Sequence, residues 1–340
     1  MGYRVRTEQR PAAPGYDGTV VLLEDPAGAG AAVWPAAGFN CFQWRTRRQG
    51  HDLDLLYHTA DFLQDVRPTR NGIPILFPFP NRIRDGRFAW AGKEYQLPLN
   101  DPAGRNAIHG FACRRPWRVV DQGADGQGAW VTGEFWAAHD APDARPLWPA
   151  DYRLRVTYRL GAGSLRIDAL VENPDQVALP CGLGYHPYLR VPFAAGTTAA
   201  DCRVGADARL CWELEENLPT GAIKALPERD LSDPRPFAGL QRDDLLRALE
   251  PSAADEDGGL LRRGRVQQPA AGVEVRVLSS AAFRELVVFT PPHRQAVCLE
   301  PYTCPTDAMN LHGRGVDAGL IVLEPGGRWS GVVELVVGEV

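Results

Sequence analysis

Apolar and polar residues alternate with a period of two along most of this chain. The clearest run places Tyr152, Leu154, Val156, Tyr158 and Leu160 on one face, with Arg153, Arg155, Thr157 and Arg159 between them. Gly161-Ala162-Gly163-Ser164 then turns the chain into Leu165, Ile167, Ala169 and Val171. Successive strand side chains point to opposite faces, so this alternation predicts antiparallel sheet with one wet face. Residues 86–90 and 94–97, joined through Ala91-Gly92, predict a hairpin. Residues 19–23, 117–120, 130–135, 272–278, 283–289 and 331–337 carry further strand patterns. Helical periodicity is thin, and predicts short helices only at 54–63 and 243–249. The segment 214–264 is rich in Pro, Asp and Gly and reads as long connections of the kind that carry function. Strands run from end to end with no linker and no repeat. This predicts an all-β fold, a large antiparallel two-sheet β-sandwich forming a single domain over 1–340.

Composition sharpens this picture. There are 29 Pro and 35 Gly but only 2 Met, which favours turns over long helices. The net charge of −5 comes without a basic stripe, which excludes nucleic acid as a partner. Seven cysteines make no C-x-x-C pair, the N-terminus has no apolar signal core, and no apolar run is long enough for a bilayer. The expectation is a cytoplasmic protein with no membrane partner. No G-x-S-x-G, phosphate loop or H-E-x-x-H pattern occurs, so no metal site built from a local motif is expected, which leaves open one assembled from dispersed residues.

Four places carry chemistry-bearing residues where packing alone does not call for them. Glu300 sits inside the apolar stretch Val297-Cys298-Leu299-Glu300-Pro301-Tyr302. Glutamate is poor in strands and seldom buried without a partner, so Glu300 is either a strand-end carboxylate or a base held in a cleft. The proline-stiffened path 71–80 ends in Asn81-Arg82, whose guanidinium suits sugar hydroxyls, a carboxylate or a structural ion pair. His109 precedes Gly110, where the backbone can turn tightly or a ligand can come close. Gly182-Leu183-Gly184-Tyr185-His186-Pro187-Tyr188 is a stiff loop with aromatic walls, and Tyr188 has the shape to stack on a sugar ring.

Asn81-Arg82-Ile83, His109-Gly110-Phe111, Gly184-Tyr185-His186-Pro187-Tyr188 and Leu299-Glu300 stand in the order found in the aldose 1-epimerase (galactose mutarotase) family. From residue 71 to the C-terminus the chain resembles that family. The run 72–78 is similar to its bacterial galactose-mutarotase-like branch. The resemblance implies a galactose mutarotase-like supersandwich that interconverts the α and β anomers of a free aldose without a cofactor. Glu300 then resembles the general base and His186 the general acid, with Asn81, Arg82 and His109 as substrate contacts. Asp243 or its neighbour Asp244 matches the family's hydroxyl-binding aspartate. The family's substrate-binding glutamine is missing, since Thr290-Pro291-Pro292 stands in its place.

The chemistry asks for opposite protonation states. An ionised Glu300 takes the C1 hydroxyl proton while a protonated His186 serves the ring oxygen, and each charge is expected to sustain the other. Three alternatives remain at this point. A sugar-phosphate mutarotase needs a second arginine at the site, which no motif identifies. A non-catalytic carbohydrate-binding protein would not need both Glu300 and His186. A glycosidase would pair Glu300 with Asp243 and leave the histidines idle.

Overall fold

In the computed structural model, residues 2–225, 230–247 and 259–340 are described. Among these, antiparallel strands dominate, and the α-helices are Ala137–Asp140 and Ala308–Gly313. One large sheet orders its strands Arg118–Ala124, Ala129–Trp136, Arg153–Gly161, Ser164–Glu172, Arg328–Glu339, Val273–Ser279, Leu261–Gln268, Arg203–Ala206 and Arg235–Pro236. A second runs Leu218–Ala225, Leu210–Glu215, Asp243–Arg247, Glu285–Phe289, Ala296–Tyr302, Gly184–Tyr185 and Ile75–Leu76, with Tyr188–Arg190 also paired to Ala296–Tyr302. A five-stranded meander, Arg4–Gln9 through His51–Asp54, completes the main framework.

The two-residue alternation is the origin of the core. Arg153–Gly161 pairs with Ser164–Glu172 from Arg153–Glu172 down to Gly161–Ser164, and every second side chain on both is buried. Leu154, Val156, Tyr158 and Ile167 from that hairpin join Val288, Val297 and Leu299 from the second sheet and Val21 and Leu23 from the meander in one apolar cluster. Packing one sheet's apolar face on another is what makes a sandwich stable.

Three local expectations differ from the structure. Residues 54–63 form no helix. Leu55 N–H donates to the Trp44 carbonyl, Tyr57 N–H to that of Tyr188, and Arg190 N–H to that of Leu55, so 55–57 is extended between neighbours; beyond it the chain turns, with Phe62 N–H on the Thr59 carbonyl and Gln64 N–H on that of Asp61. Inter-segment pairing has overridden a weak local preference. The predicted helix at 243–249 is the strand Asp243–Arg247, lying between Leu210–Glu215 and Glu285–Phe289; residues 248–249 lie outside the described ones. Leu245 and Leu246 are both buried because this interior strand is covered on both faces, and that erases the alternation. The supposed connections at 214–264 are largely strand, including the hairpin of Leu210–Glu215 and Leu218–Ala225; 226–229 and 248–258 fall outside the description.

Leu154→Ala is expected to cost about 2–5 kcal/mol of unfolding free energy. Thr157→Ala on the opposite face loses a cross-strand hydroxyl contact to Thr132 and is expected to cost less than about 1 kcal/mol. Urea denaturation of both variants measures the contrast.

Candidate active site

Register in the second sheet assembles the site. Gly184 pairs with Tyr302 and Tyr188 with Cys298, so His186 falls opposite Glu300 on the same line. Glu300 pairs on its other side with Val287, and Phe289 stands between Cys298 and Asp243. Directly opposed residues share a face, and so do residues two apart. Asp243, Val287, Phe289, Glu300, Tyr302, His186 and Tyr188 therefore line one wall of a cleft of about 670 Å³. Leu286, Val288, Val297 and Leu299 point the other way, into the core. Gly184 permits the tight pairing, because a Cβ there would meet the Tyr302 ring at 2.5 Å.

The facing wall rests on two very short paired strands, Arg82–Ile83 and Ala107–Ile108. His109 N–H donates to the Asn81 carbonyl at 2.9 Å. Both Asn81 and His109 have positive φ, 54° and 67°, which turns their side chains off the strand line. Gly110 lies against the Phe77 carbonyl so closely that a Cβ would be 2.2 Å from its oxygen. Asn81, Arg82 and His109 line the same cleft, so all seven candidate residues come together there. Asp243 rather than Asp244 reaches it; Asp244 is turned to Arg242, 3.6 Å away. Where the family's glutamine is missing, Pro291, Pro292 and His293 form the wall, with His293 stacked on Tyr57 at 4.4 Å.

At the base of the cleft His186 Nε2 lies 3.2 Å from Glu300 Oε1. Tyr302 donates its hydroxyl to Glu300 Oε2. Tyr188 stacks flat on the His186 ring at 4.7 Å, and His109 meets that ring edge-on at 5.7 Å. Arg82 Nη1 donates to Asn81 Oδ1, and its Nε lies 3.6 Å from Asp101 Oδ2. Burial would raise the Asp101 carboxyl, but bonds from Asn106 and Arg105 and the charge of Arg82 bring it below its usual range. Both readings of Arg82 thus hold: it has a structural ion pair and it faces the cleft.

The expectation of two mutually sustained charges is corrected here. Glu300 is 1 % exposed, and burial pushes its carboxyl well above the usual range, helped by Asp243 and opposed by Tyr302 and Arg82. Burial also brings the His186 imidazole down to about 3. Desolvation therefore outweighs mutual attraction, and at rest the pair shares one proton with no net charge. His109 is held neutral too, by burial first and then by His186, Arg114 and Arg82. Asp243 stands at the mouth, where crowding raises its carboxyl against the pull of Arg82.

His186, Cys298 and Glu300 each bring one ligand atom within 4.8 Å of the others. Burial keeps the Cys298 thiol and the Glu300 carboxyl protonated, so a cation would have to displace two retained protons. The sequence reading missed Tyr302, whose signal was its place two residues from Glu300 on one strand face. It also missed Asp101, and the arginines Arg70 and Arg114, which line the cleft as well. Those three sit on turns, where no periodicity marks them.

Comparison with known proteins places this site in context. The E. coli K12 protein YihR, itself uncharacterized, is 27% identical over 253 residues, covering 74% of each chain. Galactose mutarotase of Sus scrofa is 26% identical over 182 residues, 52% of this chain and 49% of that protein. The crystal structure of a galactose mutarotase-like protein from Clostridium acetobutylicum superposes with a TM-score of 0.87 at 25% identity, covering 100% of this chain and 99% of that one. Galactose 1-epimerase from Lactobacillus acidophilus shares the fold, with a TM-score of 0.76 at 16% identity and 99% coverage of each chain. Residues 23–336 match the aldose 1-epimerase family model. The chain belongs to the aldose 1-epimerase family, and its enzyme class is that of an isomerase.

Proposed function

We propose that this chain works as a single mutarotase-like domain that interconverts the α and β anomers of an aldose whose C1 hydroxyl is free. The observation that carries the reading is the 3.2 Å contact between His186 Nε2 and Glu300 Oε1 at the base of the cleft. Ring opening needs the C1 hydroxyl proton removed and a proton supplied to the ring oxygen. Transfer of the shared proton from Glu300 to His186 produces a carboxylate and an imidazolium together, without help from solvent. Glu300 then takes the hydroxyl proton and His186 protonates the ring oxygen. The aldehyde rotates about C1–C2, and closure runs the same steps backwards with the roles exchanged. Tyr302 supports the carboxylate state by its hydrogen bond, while Asn81, Arg82, His109 and Asp243 offer polar contacts for the sugar hydroxyls. Tyr188 holds the imidazole plane by stacking.

Each positioned proton-transfer group is worth about 10²–10⁴-fold in rate. Glu300→Gln and His186→Gln are each expected to lower kcat by about that factor in polarimetry of freshly dissolved α-aldoses. A wild type no faster than buffer across several neutral and anionic aldoses would sink the proposal.

The pair is active only while it holds one proton. A second proton is added only near the low His186 value of about 3, and the last is lost at the raised Glu300 value. The expected kcat/KM profile is flat through pH 5, with its alkaline limb above the usual carboxylate range. The Tyr302 bond favours ionised Glu300, so Tyr302→Phe should move that limb to higher pH.

The same shift has a stability consequence. A carboxyl raised in the folded state binds its proton more tightly there, so wild-type stability falls as pH rises from about 4.5 towards the folded value. Glu300→Gln lacks this loss. Its stability relative to wild type should rise over that range, as read by urea denaturation at pH 5 and pH 8; a difference independent of pH would contradict the burial argument.

A further inference from the structure

The cleft has a cationic corner that the epimerisation chemistry does not use. Arg70 and Arg114 line it beside Arg82. Both are also on the wall of a side groove of about 400 Å³, with Thr69, Arg67, Pro68 and Tyr16, so the two spaces meet at these arginines. Among the described residues, no carboxylate lines the side groove. Arg67 is balanced by Asp65, at 2.8 Å. Among the described residues, neither Arg70 nor Arg114 has a carboxylate within ion-pair distance. Arg114 Nη1 donates to the Ile108 carbonyl at 3.2 Å, which holds the guanidinium in place without neutralising it.

Two features of these arginines matter together. In a chain of net charge −5, many arginines face carboxylates, as Arg6 does Glu24, Arg159 does Asp125 and Arg284 does Asp317, while others such as Arg203 and Arg294 are spent on backbone carbonyls. Arg70 and Arg114 end two 3-10 turns, Pro68–Arg70 and Ala112–Arg114. The first turn is tied to the reacting groups, because Tyr188, stacked on His186, donates its hydroxyl to the Thr69 carbonyl at 2.7 Å. Two guanidinium groups without a carboxylate partner, Arg114 held by its bond to the Ile108 carbonyl and Arg70 exposed at the rim, stand beside a sugar-sized cleft where a multi-oxygen anion can take both. Of the two carboxylates on the cleft wall, burial pushes Glu300 well above its usual range, and Asp243 lies in the field of Arg82 without an ion-pair contact to Arg70 or Arg114.

We propose that the aldose taken by this cleft carries an anionic substituent, a phosphate, sulfonate or carboxylate, and that Arg70 and Arg114 bind it where the cleft meets the side groove. The proposal rests on the epimerase reading and adds the substrate class. It supplies the second arginine that a sugar-phosphate substrate demands and that no sequence motif revealed.

The test compares one hexose with its 6-phosphate, its 6-sulfonate and its uronate, each followed by NMR anomer exchange above the buffer rate. At least one anionic form should show kcat/KM about 10- to 100-fold above that of the parent hexose, the scale of one or two charge-assisted hydrogen bonds. Which arm responds identifies the anion. Arg70→Gln with Arg114→Gln should collapse that ratio towards one, Arg70→Lys with Arg114→Lys should restore part of it, and raised salt should lower it. Wild type that turns over the neutral hexose as well as every anionic form overturns this inference and leaves the epimerase reading standing. A preference that survives in the double Gln variant also overturns the assignment to these arginines. No turnover of any of the four sugars removes the epimerase reading, and this inference with it. Circular dichroism of the variants separates a lost anion contact from a lost fold.

Discussion

Everything at this site depends on the pairing register of Ala296–Tyr302. That strand is held on one side by Glu285–Phe289 and on the other by two fragments, Gly184–Tyr185 and Tyr188–Arg190. The fragments keep one register across the His186-Pro187 step, and so the imidazole stands opposite the carboxylate. Side chains alternate along the strand, which sends Leu299 to the core and Glu300 to the cleft. A slip of one residue would bury a carboxylate in the apolar cluster and offer a leucine to the sugar. Core packing therefore fixes the catalytic geometry. The desolvation of the pair follows from the same pairing, because Glu300 on an interior strand and His186 in the break opposite it have little water to solvate a charge.

Much of the fold was legible where one sheet face is wet. The hairpin at 153–172 reads directly from its alternation, because one face holds Arg and Thr and the other Leu, Val and Tyr. Legibility fails on the inner strands. Asp243–Arg247 is covered on both faces, so two adjacent leucines are buried and the pattern imitates a helix. In 54–57 the deciding bonds run to Trp44, Tyr188 and Arg190, which are remote in sequence or unmarked by composition.

The site itself was legible in proportion to how far it is carried by motifs. Glu300 stood out as an acid among apolar residues, and His186 and His109 as histidines next to glycine or proline. Tyr302 had no such contrast, since a tyrosine in a strand looks like packing until its hydroxyl is seen on Glu300. The protonation states were not legible at all. Two groups that would charge each other in a half-solvated cleft remain neutral at rest in a buried one, and burial is a tertiary property. Asp101 shows the same limit, since its role comes from the backbone amides of 105 and 106 and the side chain of Asn106 closing around it.

Proton transfer here belongs to strands, whereas Arg70 and Arg114 belong to 3-10 turns at the margin. Glu300 cannot change without disturbing the sandwich, whereas the charged ends of these turns, Arg70 exposed and Arg114 half-buried, can be recharged at little structural cost while the turns themselves stay anchored. The division gives the architecture a form of modularity. The strand-borne carboxylate and the turn-borne positive charge can therefore be altered independently of one another.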